Sequence, residues 1–286
     1  MPEGPEIRRE ADRIGRVLVD RPLTRVWFRF PRLQPHADTL AAGRIAAVRA
    51  WGKALLIEFD DGRTLYSHNQ LYGRWYVVAA GRTPATNREL RVALETATHR
   101  ALLYSASEIE LLDPGAWQVH PFLSKLGPDV FAAGTTPAFL VRRLRDPRFA
   151  RRALGGLLMD QSFLAGLGNY LRSEILFAAR LHPAERPRDL GDAALLSLAR
   201  QIRALARRAY RTRGETAPKP WVRARAAQGL PRRACRHLVF ERDEEPCAEC
   251  GSRIRREMIA GRRLYLCPLC QPLPASAATA SGASAA

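Results

Sequence analysis

Apolar residues first repeat at helical spacing. Ile7, Ala11, Ile14 and Leu18 recur every three or four positions. Gly4 and Pro5 precede them, which predicts a helix with Gly4 as N-cap and Pro5 at the first helical position. From Leu23 to about Leu112 the texture changes. The runs TRVWFRF, ALLIEFD, TLYSH, RWYVV, LRVALET and RALLYSA read as short strands, parted by Asp-Gly, Gly and Pro. Asp61-Gly62 is the natural turn of a hairpin. These strands predict a small antiparallel sandwich or barrel. A linker at 113–130 leads into PAFLVRRLRD, RRALGGLLMDQSFL, NYLRSEILFAARL and DAALLSLARQIRALARRAYRTR, all helical in apolar spacing, with basic faces. Residues 214–234 read as loop, and 272–286 as a low-complexity, disordered tail.

Length and charge narrow the classes. The 286 residues suffice for two compact domains, or one with smaller modules. No stretch approaches the ~20 apolar residues of a membrane span. The opening MPEGPEIRRE has no apolar core of a secretion signal, so a cytoplasmic address is expected. The net charge is +18. Most of it lies in residues 121–286, with 29 basic against 14 acidic residues. A polyanion partner accounts for such an excess through phosphate neutralisation, and a solubilising surface also accounts for it. Only Lys53, Lys125 and Lys219 break the preference for arginine. An ammonium can shift its pKa and pass on a proton, which a guanidinium does not do.

Two local patterns carry chemistry. Cys247-Ala-Glu-Cys250 is followed, after sixteen residues, by Cys267-Pro-Leu-Cys270. Two such pairs close a tetrahedral shell for one structural Zn2+, with no position left open for catalysis. The intervening residues read as two strands joined near Ala260-Gly261, a zinc-ribbon hairpin. Disulfides or a redox pair are the competing readings, and the missing secretion signal weighs against disulfides. Cys235 is left over as a free or buried thiol. The second pattern is Gly166-Leu-Gly168-Asn169, where the glycines permit tight turns and Asn169 suits an N-cap. A helix N-terminus there, with Arg172 and the basic stretch 142–152 beside it, predicts a phosphate site; a glycine corner between core helices is the alternative.

MPEGPE at the start, WGKALL around Lys53, GLGN at 166–169 and the four-cysteine finger together resemble the formamidopyrimidine-DNA glycosylase/endonuclease VIII family. The resemblance runs from residue 1 to about 270. It is similar in detail to the endonuclease VIII branch through SHNQLYG at 67–73, YSASEIE at 104–110 and HPFLSKLGPDV at 120–130. The purine-repair branch typically carries an HLGMSG-like stretch instead. The implied fold is multidomain α+β: an N-terminal catalytic β-sandwich with a leading helix (1–120), a helix-two-turn-helix DNA-binding domain and loop (121–234), and a zinc finger (235–271) before the tail.

The resemblance implies a bifunctional DNA glycosylase and AP lyase of base excision repair. Its nucleophile is the α-amine of Pro2, exposed when Met1 is removed, which forms a Schiff base at sugar C1′. Glu3 is the general acid. Lys53 donates a proton in β-elimination, and Arg262 assists δ-elimination and grips phosphate. Gln70, Leu71 and Tyr72 fill the hole left by the extruded base. Lys125 and Asn169 contact the DNA backbone, and Glu174 helps shape the site. The implied partner is duplex DNA with damaged bases or abasic sites, met by a bacterial, cytoplasmic monomer without membrane contact. Oxidised pyrimidines are the favoured lesions. The stretch 217–234 is longer and richer in arginine than the endonuclease VIII pattern, which leaves oxidised purines open. Two rival readings remain: the 8-oxoguanine-specific branch, and a non-catalytic zinc DNA-binding protein.

Overall fold

The computed structural model describes residues 2–274, so the expected tail lies outside it from position 275 onward. The chain divides between Leu126 and Gly127 into two compact units.

The first unit opens with α1 (Gly4–Leu18). Its N-cap is Glu3 rather than Gly4, one residue earlier than expected, and Glu6 accepts a hydrogen bond from the Glu3 N–H at 2.9 Å. That bond satisfies an amide that the helix start would otherwise leave open. Eight strands follow: β1 (Leu23–Phe28), β2 (Ile45–Trp51), β3 (Ala54–Phe59), β4 (Thr64–His68), β5 (Arg74–Ala79), β6 (Leu90–Thr96), β7 (His99–Tyr104) and β8 (Glu108–Leu112). They form two antiparallel sheets, in the orders β1-β6-β7-β5 and β2-β3-β4-β8. Leu55, Ile57 and Leu65 of one sheet and Val92, Leu94 and Leu103 of the other share one core with Ile7, Ile14 and Leu18. The unit is therefore a sandwich with α1 sealed onto it. The Asp61-Gly62 hairpin forms, with Gly62 at φ +87°. The 3-10 turn Pro31–His36 and the short α2 (Ala37–Ala41), between β1 and β2, were not signalled by periodicity.

The second unit is helical: α3 (Pro137–Arg145), α4 (Pro147–Ala150), α5 (Leu154–Leu157), α6 (Asn169–Ala179) and α7 (Asp192–Thr212). Two further helices, α8 (Lys219–Ala227) and α9 (Arg232–Cys235), precede the hairpin of β9 (Arg255–Ile259) and β10 (Arg262–Leu266). The stretch expected to be one helix around RRALGGLLMDQSFL keeps only α5, the rest being turns. The loop expected at 214–234 is corrected to contain α8 and α9. Pro218 is the N-cap of α8 and Pro220 lies in its first turn, where a missing N–H costs nothing. Trp221 anchors α8, with the guanidinium of Arg242 4.8 Å and that of Arg225 5.2 Å from its ring centroid. Leu264 and Leu266 of β10 are buried in the same core as Leu171, Ile175 and Ile202, so the hairpin belongs to the helical core. No helix among the described residues is long and apolar enough to cross a membrane.

Candidate active site

The start of α1 is well anchored. Glu3, Gly4 and Pro5 are buried, with Glu3 only 3% exposed, and Pro2 is half-buried directly before them. Glu10, two turns into α1, accepts a hydrogen bond from Asn69 Nδ2 at 2.7 Å. The helix that carries Pro2 and Glu3 is thereby tied to the base of the β4–β5 loop. Loss of water pushes the Glu10 carboxyl up to about 7, against the pull of Asn69 and of the charges on Arg13 and Arg74.

The β4–β5 loop holds Gln70, Leu71 and Tyr72. Gln70 adopts φ +49°, its N–H donates to His68 Nδ1 at 3.1 Å, and its Oε1 accepts from Ser107 Oγ at 2.8 Å. Its Nε2 donates to Glu108. Leu71 and Tyr72 stand 65% and 68% exposed, and Arg88 donates to the Tyr72 carbonyl. Neither side chain packs into the core. Gly73 closes the loop through a 2.7 Å bond from its N–H to the Asn69 carbonyl. A Cβ at Gly73 would lie 2.6 Å from that oxygen, so no side chain fits.

Lys53 sits in the turn between β2 and β3 and is buried, not a surface lysine. Its neighbour Ala54 pairs with His68 across the sheet. Loss of water holds the His68 imidazole below its usual range; Glu108 pulls it up and the Lys53 charge pushes it down. Lys53, His68, Glu108 and Gln70 therefore form one electrostatic group. Lys125 is exposed at the end of a 3-10 turn.

In the second unit, Asn169 is the first residue of α6, not its N-cap, which is Gly168. Its Oδ1 accepts from Arg172 Nη2 at 2.6 Å, which turns its Nδ2 donors elsewhere. Arg172 is fully buried. It also donates to the carbonyls of Gly155 at 2.9 Å, Ile259 at 3.2 Å and Arg263 at 3.2 Å. The expectation that Arg172 flanks a phosphate is therefore corrected: its donors brace the hairpin. Ile259 and Arg263 flank the tip, where Ala260 and Gly261 take φ +53° and +69°, and Arg262 leaves from that tip exposed to solvent. Asn169 and Arg262 are thus joined through one guanidinium. Sequence reasoning missed this role of Arg172; its signal was a charge three residues beyond Asn169 in a helix otherwise charged only at Glu174.

Glu174 is buried and holds a turn. Its carboxylate accepts from the N–H groups of Leu238 (2.9 Å), Val239 (2.7 Å) and Phe240 (2.9 Å) and from Thr216 Oγ1 (2.7 Å). His237 joins this network at 2.8 Å from Thr216, and burial, then Arg236, hold its imidazole down at about 3.

The sulfurs of Cys247, Cys250, Cys267 and Cys270 lie within 4.8 Å of one another. The pairs Cys247–Cys270 and Cys250–Cys267 are separated by 3.9 and 3.4 Å. A tetrahedral ion with ~2.3 Å bonds to sulfur needs sulfurs about 3.8 Å apart. The quartet fits a single structural zinc. Cys235 is buried away from it, its thiol near the Pro231 carbonyl at 3.5 Å.

Comparison with known proteins covers most of the chain. The formamidopyrimidine-DNA glycosylase N-terminal domain matches residues 1–107, its H2TH domain residues 126–219, and the zinc finger found in FPG and IleRS residues 244–273. Endonuclease 8 of Pectobacterium carotovorum is 47% identical over 271 residues, 95% of this chain and 100% of that protein. Endonuclease 8 of Escherichia coli strain K12 has the same identity and coverage. Among solved structures, Lactococcus lactis formamido-pyrimidine DNA glycosylase bound to DNA containing an AP site matches with a TM-score of 0.73. It is 22% identical and covers 95% of this chain and all of that one. MutM in complex with DNA containing carbocyclic 8-oxo-G matches at 0.74, with 20% identity and the same coverage. At these identities the two structures speak for the fold.

Proposed function

Because the chain belongs to the formamidopyrimidine-DNA glycosylase/endonuclease VIII family and is a base-excision DNA glycosylase and AP lyase, we propose that its nucleophile is the α-amine of Pro2, freed by loss of Met1. The observation that carries this reading is the position of Pro2, half-buried immediately before the anchored first turn of α1. An ordinary α-amine titrates near 7.7–8.0, so part of it is neutral at physiological pH. The partial positive charge of the helix start disfavours the ammonium further. The neutral amine attacks C1′ of the flipped-out nucleotide, the glycosidic bond breaks, and an iminium links protein and sugar. Glu3, buried beside Pro2, supplies the proton for that departure.

Leu71 and Tyr72, exposed on a loop braced by Gln70, fill the hole left in the stack. Lys53 delivers a proton in β-elimination. Arg262 assists δ-elimination and holds the phosphate beside the lesion. Lys125 and the Nδ2 of Asn169 bind the DNA backbone. Glu174 acts at one remove, by shaping the 238–240 turn. The preferred lesions are oxidised pyrimidines, and the product is a one-nucleotide gap with phosphates at both ends. The partner is duplex DNA carrying a damaged base or an abasic site, bound by a single copy of the chain in the bacterial cytoplasm. Zinc, bound by the four cysteines, supplies structure to the hairpin and takes no part in the chemistry.

Borohydride reduction in the presence of abasic-site DNA tests the nucleophile. The expected result is a covalent adduct whose mass maps to Pro2. Pro2→Gly is expected to keep partial trapping, because a primary amine remains. An N-terminally blocked protein that still traps DNA would rule Pro2 out.

A further inference from the structure

The face of α7 turned away from the core carries Arg200, Arg203, Arg207 and Arg211. Spacings of three and four residues align them in one row. The opposite face, with Leu195, Ala199, Ile202, Ala206 and Ala209, is buried. The row lines a groove of about 730 Å3, closed by Pro137 at the start of α3 and by the segment that leads into α8 at Lys219.

No ion pair or hydrogen bond engages these four guanidinium groups among the described residues. The carboxylate on the groove wall, Glu215, is already paired with Arg232 at 2.9 Å. Loss of water and the charge of Arg207 both hold Arg203 below its usual range. Favourable charge at a helix C-terminus reaches only the last turn. It covers Arg211, but Arg200 and Arg203 lie more than two turns before Thr212. Four like charges gathered without counterions are repulsive unless an anion completes the site.

We propose that this groove is a second binding site for the phosphodiester backbone of nucleic acid, separate from the Asn169–Arg172–hairpin network, with which it shares no lining residue. The proposal rests on the reading that the chain works on DNA. From Arg200 to Arg211 the row spans ~16 Å at 1.5 Å per residue. A DNA strand presents a phosphate every ~3.4 Å along its axis, so each guanidinium has a phosphate within reach. Its planar fork suits phosphate oxygens. A bilayer-binding helix needs bulky apolar residues beside its basic ones. The lining offers only Pro137, Ala204, Ala217 and Pro218.

The test is binding of an undamaged duplex to the full chain, followed by fluorescence anisotropy over a range of salt concentrations. Each lost phosphate contact lowers the slope of log K against log salt by about 0.9. The combined variant Arg200→Gln, Arg203→Gln, Arg207→Gln and Arg211→Gln is expected to lose about 2–4 from that slope. Lysine at the same four positions is expected to retain it. Single-turnover cleavage of a short lesion duplex by the glutamine variant is expected to proceed at the wild-type rate. Failure of the unaltered protein to cleave would strike the enzymatic reading and leave the groove standing. An unchanged slope in the glutamine variant overturns the proposal. So does equal loss with lysine, or loss of binding to anionic-lipid vesicles while the DNA slope stays the same.

Discussion

Glu10 is hydrogen-bonded to Asn69 at the base of the loop that exposes Leu71 and Tyr72, and burial pushes its carboxyl up to about 7. Its folded pKa of about 7 stands above the usual carboxylate value of 4.5, so the native state binds the proton more tightly. Its contribution to stability is complete below pH 4.5 and is lost as pH rises through 7. Glu10→Gln keeps an acceptor for Asn69 and removes the titration. The variant is expected to be more stable than the wild type at pH 8 by about 1–3 kcal/mol, because each tenfold gain in proton affinity on folding is worth about 1.4 kcal/mol. The gap should close by pH 5, as measured by thermal unfolding. At the tip itself, Leu71→Ala with Tyr72→Ala is expected to change stability by less than about 0.5 kcal/mol, since both side chains face solvent. Cleavage of lesion DNA should nonetheless fall roughly tenfold or more, the loss that each ~1.4 kcal/mol of wedge stabilisation implies. Glu10 was not legible in the sequence. On the helical period it falls beside Glu6 and Arg13 and resembles any solvated charge; only the fold reveals the Asn69 amide that donates to it.

Among the elements, the zinc hairpin and α6 depend on each other through Arg172. Replacing this buried arginine with Met leaves the carbonyls of Gly155, Ile259 and Arg263 without their donor. The expected cost is about 3–5 kcal/mol in unfolding free energy, with cleavage impaired as the hairpin loosens. Arg172→Lys is expected to recover only part of it, because an ammonium lacks the fork that reaches several carbonyls at once. Denaturant unfolding of both variants checks the order. The hairpin was readable because its chemistry fixes its spacing: two CxxC pairs and an Ala-Gly turn admit few arrangements. The α8 helix was not. Pro218, Pro220 and Gly229 read as breakers, yet a proline in the first turn starts a helix as readily as it ends one. The helical spacing around 151–164 misled in the opposite direction: Asp160 turns the chain there, its carboxylate accepting from the Ser162 N–H at 2.7 Å.

Across the whole molecule, buried titratable groups carry opposite responses to acid. Burial keeps His237 neutral in the folded second unit, far below its usual 6.5. Its contribution is present above pH 6.5 and is lost as pH falls towards 3. Glu10 acts in the other direction in the first unit. Between pH 7 and pH 5, calorimetry is expected to show the second unit losing stability on the order of 2 kcal/mol. In the first unit the gain from Glu10 opposes the loss from His68, whose imidazole is also held low by burial, and Glu10→Gln should leave only that loss. Zinc chelation is expected to lower the same second-unit transition, because Leu264 and Leu266 of the hairpin lie in the helical core. The broad plan of sandwich, helices and metal hairpin was legible from period and cysteine spacing. Which charges stay dry was not, since that depends on residues far apart in the chain: Arg172 and Ile259, or Glu174 and Val239. The bracing of the hairpin tip also bears on the speed and selectivity of capture. Arg262 follows a two-residue turn whose flanking carbonyls, of Ile259 and Arg263, both accept from the buried Arg172. For the phosphate contact proposed for it, the expected ordering cost is that of its own side chain, about 2 kcal/mol at most.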